Sequence, residues 1–480
     1  MKKLFMLIAI ALLSFSFAQK LTVWSISVEQ EDLYKQLETA FHEAYPNYSV
    51  EIVTMSQDQL RETLPLAYES GNAPDILLRH GLPGDQTTLS FLLESNWVAP
   101  VTTNESVKDT IVNRFPTGTF VEGHNMKDGV IYGLPLNEAD IWGHGYMYYN
   151  IDVLTEAGVD VETEIPTTWS ELLDVCAKVA AADFSCFTMS MSPAKQLARW
   201  WTPFSAVAET QSRFNYQTGK FSFADADRLR AYDLLKTLYD NEFIIPGVES
   251  TNRETSRQIF ALGQAAFYVD GAWIPSVLRK GMGFPDLNFG AADIPRPDDG
   301  TQGKLSKGLL PTLYFVSSQV SSPVAASAFA EFITRPEGMY VKAYVGGGFG
   351  FASYTDNSKW IDQNDVILQQ VVNIGANGHR AFEPIPRIAC TPDSLASTAF
   401  NSAAKDGSFP SEYDGMVEAL ISGGDWHAQA AEITAGRQAI FEDLLAQEAS
   451  SGLNVNLGQY TYPNYQFGTN FDYSSYPKCK

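Results

Sequence analysis

The chain has 480 residues, 45% hydrophobic and 19% charged, and its 33 Lys and Arg against 56 Asp and Glu give a formal net charge of −23. That length exceeds what one hydrophobic core supports, so two or more lobes are expected, and the composition is that of a globular rather than a disordered chain. Nucleic acid or an anionic membrane surface would need clustered Lys and Arg, which the acidic balance argues against; it leaves neutral ligands open.

Met1-Lys2-Lys3, the apolar run Leu4 to Leu13 and Ser16-Phe17-Ala18 before Gln19 read as a secretory signal peptide over residues 1–18. The apolar run is too short to span a bilayer, and no Cys follows it to carry a lipid. "KLTVWS" then reads as a strand, and "VEQEDLYKQLETAFHEAYPNY" as an amphipathic helix with Leu33, Leu37, Ala40, Phe41 and Ala44 on one face, stopped by Pro46. "YSVEIVTM", "DQLRETLPLAYESG" and "APDILLRH" continue as strand, helix and strand. This alternation predicts an α/β lobe with a largely parallel sheet, whose ligands bind beyond the carboxyl ends of its strands. The residues following those ends are Trp24-Ser25 and Arg79-His80.

Gly133 and Pro135 break the pattern before "YMYYN", a new apolar strand, so a crossing to a second lobe is placed near Leu136 to Asp140. Three helical stretches follow ("TWSELLDVCAKVAAA", "RLRAYDLLKTLYDN", "ETSRQIFALG"). The last leads through Gly263 into a short strand, Ala265 to Val269, and the turn Asp270-Gly271-Ala272-Trp273. "FGAADIPRPDDGTQGK" reads as a second crossing, "LLPTLYFVSS" and "PVAASAFAEFITRPEGMYVKAY" as a strand and a helix returning to the first lobe, and "VGGGFGF" as a third crossing. Residues from Ile361 to Gln447 read as helical, and 453–480 as an extended Asn-, Tyr- and Gly-rich tail. The lobes are therefore placed at 19–136 plus 297–346 and at 137–296 plus 347–452.

Of four cysteines, Cys176 and Cys186 lie close together across a helix end and are the favoured pair, which leaves Cys390 with Cys479 to tie down the tail. No C-x-x-C, nucleophile elbow, P-loop, dinucleotide fingerprint or H-E-x-x-H motif occurs. His144, four residues after Asp140, is flanked by Gly143 and Gly145, a poor setting for a metal ligand. Paired carboxylates abound in so acidic a chain, but nothing selects a catalytic pair. Neither cofactor nor metal is expected, and the chain reads as a binder.

Taken in order, "LTVWS", "FHEAYPNYSVEIV", "LAYESGNAPDIL", "SNWVAPV", "DGVIYGLPLNEA", "YMYYNIDVLTEAGVD", "IPTTWSELL", "ALGQAAFYVDGAW" and "PVAASAFAEFITRPEG" resemble the extracellular solute-binding proteins of ABC importers, in their sugar-binding, maltose-binding-protein-like branch. The likeness covers about residues 20 to 350 and weakens beyond, where "GRQAIFEDLLAQ" is its main trace. It implies a two-lobed type II periplasmic-binding-protein-like α/β fold, each lobe a sheet flanked by helices, with a carbohydrate held in the cleft between them. It also implies closure about the crossings and delivery to ABC permease membrane subunits, in the periplasm and without nucleic acid; a monomer is expected.

A sugar offers a C–H face to an aromatic ring and hydroxyls to fixed donors and acceptors. Trp273 matches the family's stacking Gly-x-Trp position, with a core Trp as the other reading. Asp270 would accept hydroxyls, cap a helix, or both. Glu138 stands at the first crossing as a ligand acid or a solvated hinge charge, and Trp142 lines the cleft or packs a strand. Trp24 is open to the same two readings; Ser25 faces the expected cleft edge, and Gln30 opens the next helix. Arg79 forks two hydroxyls or makes a surface ion pair, one of Trp200 and Trp201 (taken as Trp201) faces the cleft, and Phe349 sits at the third crossing. No basic cluster stands near this cleft in the sequence, which weighs against phosphorylated ligands. A polyamine is the main rival ligand. A secreted carbohydrate-active enzyme using Glu138 and Asp270, or a sensor subunit, are readings of other kinds.

Overall fold

The computed structural model describes residues 19–471 except 83–85, 87, 139, 142, 210–212, 308–311 and 385–396. In chain order β1 (Gln19–Ser25), α1 (Glu31–Ala44), β2 (Tyr48–Thr54), α2 (Gln57–Glu69), β3 (Ile76–Leu78), β4 (Val98–Ala99) and β5 (Gly133–Leu134) build the first lobe. Then β6 (His144–Asn150), α3 (Trp169–Ala181), β7 (Ser185–Thr188), α4 (Ala198–Ala208), α5 (Arg253–Ala261), β8 (Ala265–Gly271) and β9 (Phe289–Ala292) build the second. The chain returns through β10 (Tyr314–Ser317), α6 (Pro323–Ile333) and α7 (Met339–Gly346), and ends in α8 (Val366–Ala376), α9 (Glu412–Ser422) and α10 (Trp426–Ser450).

The alternation of β1 sorts its side chains: Leu21 and Val23 are fully buried beneath Leu33, Leu37 and Phe41 of α1, while Trp24 packs on the opposite face with Leu60, Leu64 and Leu77. Ala44, expected on the inner face of α1, is exposed, and Tyr34 is buried instead. Ser56 and Thr168 open α2 and α3 with reciprocal capping boxes, which satisfy two of the otherwise orphaned N–H groups of each first turn. Pro336 divides the predicted 323–344 helix into α6 and α7.

Neither sheet is largely parallel. In the first, ordered β2-β1-β3-β10-β4, β1 runs parallel to β2 and β3, but β10 is antiparallel to β3, β4 and β5. The second is ordered β9-β6-β8-β7; β6 is antiparallel to both neighbours and only β8–β7 is parallel. The reversal in the first sheet belongs to β10, the strand that re-enters this lobe from the other one. A strand arriving by that route runs against those laid down by successive βα units.

The backbone passes between the sheets after Leu134, again after Ala292, and a third time beyond α7, where Gln370 of α8 accepts the Ala291 N–H of β9 at 2.8 Å. The first and third passages run side by side, with Glu138 N–H donating to Phe351 O (2.9 Å) and Ser353 N–H to Leu136 O (3.1 Å). Lys307 pairs with Asp140 to join the second passage to the first.

Cys176 of α3 and Cys186 of β7 form a disulfide. Cys390 and Cys479 lie outside the described residues. The tail folds back on the second lobe through a short turn of helix at Leu457–Tyr460. Tyr460 packs on Phe400 and Phe441, and Tyr462 N–H donates to Tyr216 O at 2.6 Å. Among the described residues no helix is long and apolar enough to cross a membrane.

Candidate ligand-binding site

On the second lobe the site is built at the end of β8. Gly263 takes φ +69°, letting the chain leave α5 and enter a strand buried on both faces. After Asp270 the backbone turns, and the Trp273 ring folds back over Gly271 so closely that a Cβ on residue 271 would lie 2.3 Å from it. The indole stays partly exposed and meets the His144 imidazole edge-on, with ring centroids 5.1 Å apart.

Asp270 is 0% exposed and already engaged. It accepts from Arg257 Nη2 (2.7 Å) and Nε (3.2 Å), the Tyr268 hydroxyl (2.6 Å) and the Gly271 N–H (2.8 Å). His144 Nδ1 lies 3.0 Å and Arg199 Nε 3.6 Å from its other oxygen. Burial alone would raise the Asp270 carboxyl, but Arg257, His144 and Arg199 overcome it and hold the group well below the usual carboxylate range. The expectation that Asp270 takes ligand hydroxyls is therefore corrected: it organises Arg257, Tyr268 and the turn that carries Trp273. Loss of water around the His144 ring holds it below the ordinary imidazole value, with Arg199 and Arg380 adding to the effect.

On the first lobe Ser25 and Arg79 come together at the ends of β1 and β3. The Ser25 hydroxyl is 2.8 Å from Tyr34 OH, and burial pushes that phenol far up. Arg79 takes φ +55°, is 5% exposed, and donates from Nη2 to Asn137 Oδ1 (3.2 Å) and Tyr340 OH (3.4 Å). Its guanidinium lies 4.2 Å over the Tyr344 ring, whose hydroxyl donates to the same Asn137 oxygen at 3.0 Å. The surface ion pair considered for Arg79 does not exist among the described residues. Gln30 is buried next to this cluster's helix and bonds Glu29 Oε1 at 3.2 Å; the lobes meet here, since a Cβ on Gly281 would sit 3.4 Å from Glu29 Cβ.

Four other expected residues fare differently. Trp24 packs half-buried on the α2 side of its sheet. Phe349 is 7% exposed and covered by the Lys280 ammonium, 4.5 Å from its centroid, so it is packed at the third passage rather than open to a ligand. Glu138 is half-buried, and its Oε1 accepts from Asp140 N–H at 3.3 Å. Trp142 lies outside the described residues.

Trp201 is 1% exposed and turned into the second lobe, where its Nε1–H donates to Glu412 at 3.1 Å. It lines a cavity of about 380 Å³ between α4, the 213–221 hairpin and the start of α9. Arg228 bridges Glu209 and Glu412 there; burial, then the neighbouring acids against the pull of Arg228, pushes the Glu209 carboxyl up to about 7.

Sequence reasoning missed His144, Arg199, Arg257 and Arg380 as a group, and against the expectation of no basic cluster near the cleft the structure gathers these arginines around Asp270 and His144. Arg199 precedes the Trp doublet directly, and His144 follows a glycine at φ +110°, both legible hints. Arg380 carries no such mark and arrives from the far side of the second passage, donating to His144 O and toward Ser306 O. Among the described residues no group of three His, Cys, Asp or Glu side chains could hold a metal ion.

A family model described as bacterial extracellular solute-binding protein matches residues 36–364. A putative binding protein of Brucella abortus is 22% identical over 287 residues, 59% of this chain; the chain spans 64% of that relative's length. An arabinooligosaccharide-binding protein of Halalkalibacterium halodurans is 24% identical over 361 residues, 74% of each chain. Among solved structures, an ABC-transporter solute-binding protein of Thermotoga lettingae bound with α-D-tagatose superposes with a TM-score of 0.65 at 16% identity, covering 88% of this chain and 100% of that one.

Proposed function

The chain belongs to the bacterial extracellular solute-binding proteins, and on that premise we propose that it captures a sugar or oligosaccharide between its two lobes and delivers it to the membrane subunits of an ABC importer. The observation that carries the carbohydrate reading is Trp273. Its ring is held by Gly271 and His144 at the end of β8 with one part exposed, as a stacking platform for the C–H face of a sugar requires. The names of the Halalkalibacterium and Thermotoga proteins support the same ligand class.

In this reading residues 1–18 direct export and are removed, the mature chain works as a monomer in the periplasm, and it does no covalent chemistry. Binding draws the lobes together about the three passages, with the 28–30 and 277–281 turns as the first surfaces to meet. The arginines near Trp273 weigh against a polyamine ligand, which would be repelled.

A thermal-shift panel of mono-, di- and oligosaccharides tests the proposal. A ligand at 100 times its Kd stabilises the chain by about 2.7 kcal/mol, a readily visible rise in Tm. Trp273→Ala is expected to abolish the shift without lowering the unliganded Tm by more than a few degrees. A shift with a non-sugar solute and with no sugar would refute the carbohydrate assignment.

A further inference from the structure

Five arginines of the described residues are buried: Arg79, Arg228, Arg257, Arg380 and Arg437. Four of them have a carboxylate or a backbone carbonyl against the guanidinium. Arg228 bridges two carboxylates, Arg257 holds Asp270, and Arg380 and Arg437 donate to backbone carbonyls. Among the described residues Arg79 has neither a carboxylate nor a backbone carbonyl as a partner. Its contacts among the described residues are one amide oxygen, a long bond to a phenol and the face of a tyrosine ring; its Nε is buried without a partner, as are those of Arg228, Arg380 and Arg437. The Asn137 Nδ2 beside it is likewise buried and unpartnered. Burying a full charge on such terms costs several kcal/mol, and a left-handed backbone at a non-glycine residue adds to that cost.

Resting on the carbohydrate reading above, we propose that the ligand is an anionic carbohydrate, whose carboxylate or phosphate is received by Arg79. The residue directly follows β3, at the strand end where α/β sheets bind their ligands, and Asn137 on the first passage fixes one of its nitrogens. The guanidinium fork matches both oxyanions, and an incoming anion supplies the charge that the protein withholds. On the second lobe Asp270 is shared between Arg257 and Arg199, and Arg380 stands at the same edge with Asp140 and Asp293 near it.

The test is calorimetric titration of the full mature chain with matched pairs that differ only in the acid: galactose against galacturonate and glucose against glucuronate, with the di- and trisaccharides of each. Glucose 6-phosphate and glycerol 3-phosphate form a separate arm. The anionic member is expected to bind at least tenfold more tightly, with an affinity that falls as salt rises, and the arm that responds identifies carboxylate or phosphate. Arg79→Gln should erase the preference, and Arg79→Lys should keep part of it; the wild-type pairs decide the matter even if both variants fail to fold. Equal or tighter binding of the neutral member overturns this inference and leaves the carbohydrate reading standing. Binding of no anionic member in either arm overturns this inference, and the carbohydrate reading falls with it only if the saccharide thermal-shift panel is silent as well.

Discussion

Asp270→Asn is the perturbation that separates a positioning role from an incidental one. The substitution keeps the shape of the side chain and removes its charge, leaving the buried Arg257 and the partly buried Arg199 without this counter-ion and placing an amide among donors from Arg257, Tyr268 and Gly271. Loss of neutral hydrogen bonds alone would cost about 1 kcal/mol each, whereas breaking one side of a buried ion pair costs about 3–5 kcal/mol, so the larger figure is expected. Urea denaturation at pH 7, followed by far-UV circular dichroism, measures it. The pH dependence gives a second reading. The Asp270 carboxyl is held well below its unfolded value of about 3.9, so its contribution is complete above that value and is lost as pH falls toward the folded one. The stability gap between wild type and variant should therefore narrow on acidification below about pH 4. A cost under about 1 kcal/mol at pH 7, or a gap that stays constant into acid, would refute the role of Asp270 as the charged organiser of this turn.

Gly271→Ala places a methyl 2.3 Å from the Trp273 ring, so the indole must swing away; ligand affinity should fall at least tenfold in a titration, with indole fluorescence altered. Replacing Cys176 and Cys186 by Ser, which opens a loop with a sequence separation of 10, should cost about 2–3 kcal/mol in chemical denaturation. Glu209 is pushed up to about 7, so Glu209→Gln should cost under about 1 kcal/mol at neutral pH, while Arg228→Met, which strands the Glu412 carboxylate, should cost about 3–5 kcal/mol. Because that pKa is raised, the Glu209 contribution is present in acid and lost as pH rises from its unfolded value of 4.5 through about 7, and Glu209→Gln should therefore gain on wild type across that range in thermal melts and level off above it.

The elements were legible where one periodicity governs a whole segment. Leu21 and Val23 against Leu33, Leu37 and Phe41 set β1 and α1, and the Gly263 and Gly271 flanks set β8, because these signals are local. The direction of β10 was not legible, since a strand carries no mark of which lobe it returns from. The Asp-Gly-Ala-Trp junction stands out in the sequence, but the partners of Asp270 do not. What fixes it is Arg257, 13 residues earlier, together with Arg199 and His144 from other elements, and no spacing rule joins them. Arg79 was singled out by its place after β3, whereas its want of a counter-ion shows only once Tyr340 and Tyr344 have folded over it.

The outermost strand of the second sheet, β7, has a consequence for association between chains. A free strand edge is a template on which another chain can lay itself down, and this one is short and mostly buried. Here Phe187 exchanges hydrogen bonds with Phe243 O and Ile245 N–H on its open side, while the cystine anchors the next residue back to α3. Two independent restraints thus keep that edge from being offered. Reduction would remove one of them without unfolding the lobe, so the thiol form should be the more prone to intermolecular strand pairing.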